Sequence, residues 1–118
     1  HTNSKASEVR RAIIRAVNEA TADRDVRLSM KRIGMGWSAE ETLALAVYCL
    51  LKTSSCKDAV IMACNQDGDS SACGLVCGTM AGALYGLDSI PKSWLNKLEC
   101  SDLMKTLAQG VYRASTKV

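Results

Sequence analysis

At 118 residues the chain is long enough for one domain with a real core and too short for two. Its 47% hydrophobic and 23% charged residues are ordinary for a soluble globular protein, which excludes a disordered or fibrous chain. The net charge of +3 is mild, and the densest basic cluster (Arg24, Arg27, Lys31, Arg32) is interleaved with Asp23 and Asp25, so no nucleic-acid-binding stripe is present.

Apolar volume comes from Ala, Leu, Val, Ile, Met and Cys. There is no phenylalanine, with two tryptophans and three tyrosines the only aromatics. Such a composition favours close helix packing over sheets, which prefer aromatic and β-branched residues. A single proline points the same way. The six cysteines fall mostly inside apolar helical patterns, where a free thiol acts as a small hydrophobe. They fit no common zinc spacing, and the one histidine is His1. A reduced, cytoplasmic protein is the expectation. Residues 1–8 are polar and carry no secretory signal. The uncharged stretch Ser70–Leu87 is short and glycine-rich, which suits a buried helix better than a membrane span.

In chain order, the first helix is expected from about Ser7 to Ala22, with Val9, Ile13, Ala16, Val17 and Ala20 on one face. Thr21 to Arg27 reads as a polar turn, followed by a short Leu28–Ile33 segment. Gly34-Met35-Gly36 breaks the pattern. Ser38 and Glu41 have capping-box spacing and open a helix that runs to Lys52. Ser55 and Asp58 repeat a related cap before a short helix over residues 59–64. Residues 65–71 form a loop centred on Asp67, Gly68 and Asp69, and the next helix begins at Ser71. Gly74, Gly78, Gly82 and Gly86 form a smooth ridge on that helix. Each costs about 1 kcal/mol of helix propensity, so another backbone is expected to pack closely against them. Pro91 suits the first turn of a short helix whose inward side is Trp94, Leu95 and Leu98. Ser101 caps the last helix, with Leu103, Met104, Leu107, Ala108 and Val111 as its apolar set. The expectation is one all-α domain over residues 1–118, of five or six helices and no strand.

Most catalytic constellations are missing. Without an internal histidine there is no Ser-His or Cys-His pair, and no P-loop is present. No catalytic residue can be named. The informative segment is Asn65-Gln66-Asp67-Gly68-Asp69-Ser70-Ser71, which sets carboxylate and hydroxyl oxygens just before a helix N-terminus. Hard cations such as magnesium select oxygen ligands of this kind. Ordinary helix capping asks for the same residues, and on this segment alone capping is the commoner use.

Four segments, in order, resemble the ADP-ribosylglycohydrolase family. Residues 33–48, from Ile33-Gly34-Met35-Gly36-Trp37-Ser38 to Tyr48, are similar to its glycine loop and following helix. Gly68-Asp69-Ser70-Ser71 falls where the family carries a Gly-Asp-x-Asp-Thr metal motif. The runs from Gly78 to Gly86 and from Ile90 to Leu95 complete the match, which covers roughly residues 8–113. The resemblance implies the C-terminal portion of an all-helical hydrolase that removes ADP-ribose from protein side chains. It implies magnesium as the cofactor, held between this motif and an N-terminal Thr-Asp-Asp segment, and ADP-ribose or an ADP-ribosylated protein as partner.

Carried over by position, Asp69 is the retained metal ligand. Ser71 stands where a second carboxylate is expected and Ala72 where a hydroxyl ligand is expected, while Asp67 replaces a glycine and offers a carboxylate from another direction. Thr-Asp-Asp is not present in these 118 residues. The metal candidates are therefore Asp69, Asp67 and Ser71, with metal affinity weakened or lost. Candidates for contact with substrate are Gly34 and Gly36, through close backbone approach, and Trp37 and Tyr85, through stacking on adenine. Loop permissiveness for the glycines and a core or rim position for the aromatics are the alternatives. The resulting expectation is a hydrolase portion inactive without the rest of its fold, or alternatively a catalytically degenerate ADP-ribose-binding or structural interaction module.

Overall fold

The computed structural model describes residues 2–116, with side chains from residue 5, so His1 lies outside the described residues. Seven α-helices and one 3-10 turn follow one another, with no strand among the described residues. The helices are α1 (Thr2–Thr21), α2 (Val26–Ile33), α3 (Ala39–Lys52), α4 (Cys56–Cys64), α5 (Ser70–Tyr85), α6 (Lys92–Lys97) and α7 (Ser101–Thr116). The all-α expectation holds. The helix count rises because residues 26–33 form a full helix, with Asp25 accepting the Leu28 amide as its N-cap.

The core is built from small side chains around α3. Ala44, Leu45, Ala46, Tyr48 and Cys49 of α3 are sealed from solvent, packed against Ala12 and Ala16 of α1, Ala59 and Ala63 of α4, and Cys73 and Cys77 of α5. Alanine and cysteine at so many contact points let the helix axes approach closely, which replaces the missing phenylalanines. The cysteines are all free, four of them buried. Burial pushes the Cys49 thiol up to about 12, and those of Cys73 and Cys77 to about 11.

The inward face of α1 differs from the expected one. Ala12, Ala16 and Glu19 are buried, while Val9, Ile13 and Val17 overhang at the edge and stay exposed. Glu19 is the unexpected member. Its carboxylate takes Arg24 at 2.8 Å and Arg32 at 2.7 Å, tying α2 back onto α1. These charge-assisted bonds, that of Arg32 foremost, hold its pKa down at about 2.

The glycine ridge is used in its first half only. A Cβ at Gly74 would stand 2.6 Å from the Cys64 sulfur, and one at Gly78 would touch Val60 at 3.8 Å, so α4 lies along this stretch. Gly82 and Gly86 face open space. The expected inward sides of the last two helices are likewise uncovered: neither α6 nor α7 has a buried residue. Leu103, Leu107 and Val111 are 56%, 60% and 71% exposed. Their apolar periodicity is real, but nothing in residues 2–116 packs on it. The radius of gyration, 15.7 Å, accordingly exceeds the about 13.5 Å typical of a domain of this length.

Candidate functional site

Two loops meet at one edge of the core: the glycine loop between α2 and α3, and the acidic loop between α4 and α5. Each is held by the helix that follows it. Ser38 accepts the Glu41 amide through its hydroxyl at 3.3 Å, which starts α3. The Glu41 carboxylate reaches back past Gly34 and accepts the Trp37 amide at 3.2 Å. A Cβ at Gly34 would lie 2.6 Å from that carboxyl carbon, so the Glu41 side chain packs directly over the loop, and the φ of +146° at Gly34 favours glycine there. The buried Thr42 hydroxyl, 2.9 Å from the Gly36 carbonyl and 3.0 Å from that of Ser38, fixes the loop from beneath. Gly36 has φ +80°, a left-handed conformation that side-chain-bearing residues rarely adopt.

The acidic loop is as tightly specified. Asp69 caps α5, its Oδ1 accepting the Ala72 amide at 3.2 Å and the Ser71 hydroxyl at 3.0 Å. Gln66 accepts the Gly68 amide at 2.8 Å and donates to the Cys73 sulfur at 3.4 Å. The two loops are joined by their backbones, since the Asp69 amide donates to the Met35 carbonyl at 2.7 Å. Gly68 lies against that same carbonyl, where any Cβ would collide with the oxygen. Cys73 sits under the junction: a Cβ at Gly36 would be 2.9 Å from its sulfur.

The structure thus brings together Gly34, Gly36 and Trp37 with Asp67, Asp69 and Ser71. Trp37 is 73% exposed at the rim, not a core aromatic. Tyr85 is not part of this group. It ends α5, 16 residues long, and the rise of the helix puts it about 24 Å from the Asp69 end. Gln66, Glu41, Thr42 and Cys73 organise the site but are absent from the candidates read from the sequence. Only Glu41 had a signal, its capping spacing. The Met35 carbonyl has none, because any residue supplies one.

Magnesium is the cofactor the resemblance implies, and the donor set of this loop does not fit it. Both lone-pair directions of Asp69 Oδ1 are taken by the Ser71 hydroxyl and the Ala72 amide. Asp67 Oδ1 faces Arg27 at 3.4 Å, so the nearest charge to that carboxylate is already a cation. Among the described residues, no three His, Cys, Asp or Glu side chains converge closely enough to hold a metal ion.

An all-helical scaffold that presents a glycine loop bonded to an acidic helix cap defines the class. The family model for ADP-ribosylglycohydrolases matches residues 1–118, and the chain belongs to that family. It is 35% identical over 72 residues to the ADP-ribosylarginine hydrolase Tri1 of Serratia proteamaculans (strain 568), covering 61% of this chain and 20% of that protein. It is 37% identical over 59 residues to the ADP-ribosyl-[dinitrogen reductase] glycohydrolase of Rhodospirillum rubrum, covering 50% of this chain and 20% of that protein. With the human ADP-ribosylhydrolase ARH3 the identity is 28% over 112 residues, 86% of this chain and 30% of that protein. The matched stretches therefore span a fifth to a third of these relatives. No solved structure matches the chain significantly.

Proposed function

We propose that this chain forms one wall of the ADP-ribose site of a cytoplasmic ADP-ribosylglycohydrolase, and that hydrolysis requires the remainder of the fold. The observation that carries this reading is the backbone junction between the glycine loop and the acidic loop. It supports the reading because it joins the loop that carries Gly34, Gly36 and the exposed Trp37 to the loop that carries Asp67 and Asp69, residue types suited to a base, a diphosphate and ribose hydroxyls. Trp37 stacks on the adenine, Gly34 and Gly36 let the diphosphate approach the backbone, and the free Oδ2 of Asp69 accepts a ribose hydroxyl. Breaking the glycosidic bond to a protein side chain also needs a group that activates water and charge to stabilise an oxocarbenium-like transition state. Asp67 and Asp69 are carboxylates of the kind such a step uses, but hydrolysis is assigned to the complete fold, and the magnesium dependence that the resemblance implies to ligands outside this chain.

The uncovered surface fits the same reading. A folded monomer of 12.7 kDa exposes about 6200 Å², whereas this chain exposes 8152 Å². The excess, about 1950 Å² on this chain alone, is more than the about 800 Å² that each partner of a standard interface buries. It includes Leu75 and Leu84 of α5 with Leu103, Leu107 and Val111 of α7. The occupant proposed is the remaining part of the hydrolase fold, consistent with relatives several times longer than the matched stretch. No helix among the described residues is long and apolar enough to cross a membrane.

Titrating ADP-ribose calorimetrically into the purified chain tests the site. Saturable heat that Trp37→Ala abolishes, without release of ADP-ribose from a modified protein, is the expected result. No heat would remove the site and leave the scaffold alone. A second reading, a non-hydrolytic ADP-ribose-binding module, is favoured by Ser71 and Ala72 at the family's ligand positions. Turnover by a longer polypeptide that contains this chain and the rest of the fold would eliminate it.

A further inference from the structure

We infer that the Asp69 loop is a self-contained, cation-free cap: Asp69 serves α5 and the glycine loop as a structural brace and does not ligate a divalent metal. This holds whether or not the chain binds ADP-ribose, because it concerns how the loop keeps its shape.

Asp69 Oδ1, the Ser71 hydroxyl and Asp67 Oδ1 already have partners inside the protein, which leaves one oxygen on each carboxylate. Asp69 Oδ1 accepts two donors, one from Ser71 and one from Ala72. The Ser71 hydroxyl gives its hydrogen to Asp69 and, as a neutral group, brings no second negative charge. Ala72 has no side-chain oxygen to offer. Asp67 pairs with Arg27, whose guanidinium adds positive charge where a cation would need negative.

The positive side of the argument is what those bonds do. With Oδ1 fixed on the Ala72 amide, the Asp69 backbone is held so that its own amide meets the Met35 carbonyl, and Gln66 fixes Gly68 beside it. Affinity for a divalent ion tracks how many negative charges face it. Here one carboxylate is bonded into its own helix cap and the other faces an arginine. The serine and alanine at 71 and 72 are therefore matched to the cap, since serine donates to the aspartate where a second carboxylate would repel it.

Two measurements on the natural chain test the inference. In the first, Mn²⁺ is titrated into the labelled chain and amide line broadening is followed by NMR. The expected result is that residues 67–72 broaden no more than the exposed Asp88 and Asp102. Selective broadening at 67–72 that Mg²⁺ competes away and Asp69→Asn abolishes would overturn it. In the second, thermal midpoints of Asp69→Asn and Asp69→Ala are compared. Asparagine caps helices about as well as aspartate, so Asp69→Asn should melt close to the natural chain and Asp69→Ala clearly lower. Equal losses in both variants would show that the charge, not the cap, is what the position requires. Neither experiment involves ADP-ribose, so its outcome is separate from that of the proposed function.

Discussion

The Asp69 amide donates to the Met35 carbonyl across 2.7 Å, and this one backbone bond joins loops separated by the whole of α3 and α4. Because both partners are main-chain atoms, the bond constrains the path of each loop more than the side chains at those positions. It explains why glycine is required at 68, where the chain passes the same carbonyl, and it ties the loop that carries Trp37 to the one that carries Asp69.

Two glycine substitutions should move stability in opposite directions. Gly68→Ala sets a methyl group into the Met35 carbonyl oxygen, and a backbone atom cannot swing aside. The expected cost is about 1–3 kcal/mol. Gly82→Ala adds a methyl group in open space within α5, where helix propensity should return about 0.5–1 kcal/mol. Urea denaturation of the two variants measures both, and equal losses would mean that the loops do not meet as described.

Acid should loosen α2 from α1. Glu19, its pKa lowered from an ordinary 4.5 to about 2 by Arg32 and Arg24, is charged in the folded state at pH values where the unfolded chain binds a proton. Its contribution is complete above about pH 4.5 and is lost as pH falls through about 2. The thermal midpoint of the natural chain should therefore fall more steeply across this window than that of Glu19→Gln, which should be less stable than the natural chain at neutral pH. Parallel curves would remove Glu19 as the source.

Local order was legible in the sequence where a cap or a break announces it. Ser38 and Ser55 cap the helices their spacing suggested, Asp69 caps α5, which starts one residue before the expected Ser71, and Gly34 and Gly36 do interrupt the chain between α2 and α3. Partnership was not legible. The apolar stripes of α1 and α7 look alike in sequence, yet α1 packs on α3 through its alanines while α7 meets nothing that covers it. Periodicity says which face is apolar, not what stands opposite. The candidate site shows the same division: Asp69 and Trp37 were named as candidates from the family resemblance, whereas Arg27 opposite Asp67 lies 40 residues away and is visible only once the chain is folded.

The thiols should divide by burial. Cys49, Cys73 and Cys77 are sealed, and their pKa values of about 12, 11 and 11 keep them protonated and unreactive at neutral pH. Cys56 is sealed as well. Brief alkylation of the native chain with iodoacetamide should therefore mark the exposed Cys64 and Cys100, and mass spectrometry of the digest reads the positions. Rapid labelling of Cys49 would mean that α3 does not occupy the centre of the core.

The last expectation separates the core from the uncovered surface. Truncating Leu45, which has no exposure, should cost about 2–5 kcal/mol. Leu107→Gln on α7 removes a side chain that is already 60% exposed, so in this chain the cost should stay within about 0.5 kcal/mol. The same change should reduce binding of a hydrophobic dye, because Leu103, Leu107 and Val111 form one continuous strip. In a polypeptide that also carries the rest of the hydrolase fold, the strip becomes an interface, and Leu107→Gln should then approach the cost of a core substitution. Denaturant melts of the variant in both contexts make the comparison. A large loss in the short chain would show that α7 has a partner within residues 2–116, and a negligible loss in the longer one would show that the remaining fold docks elsewhere.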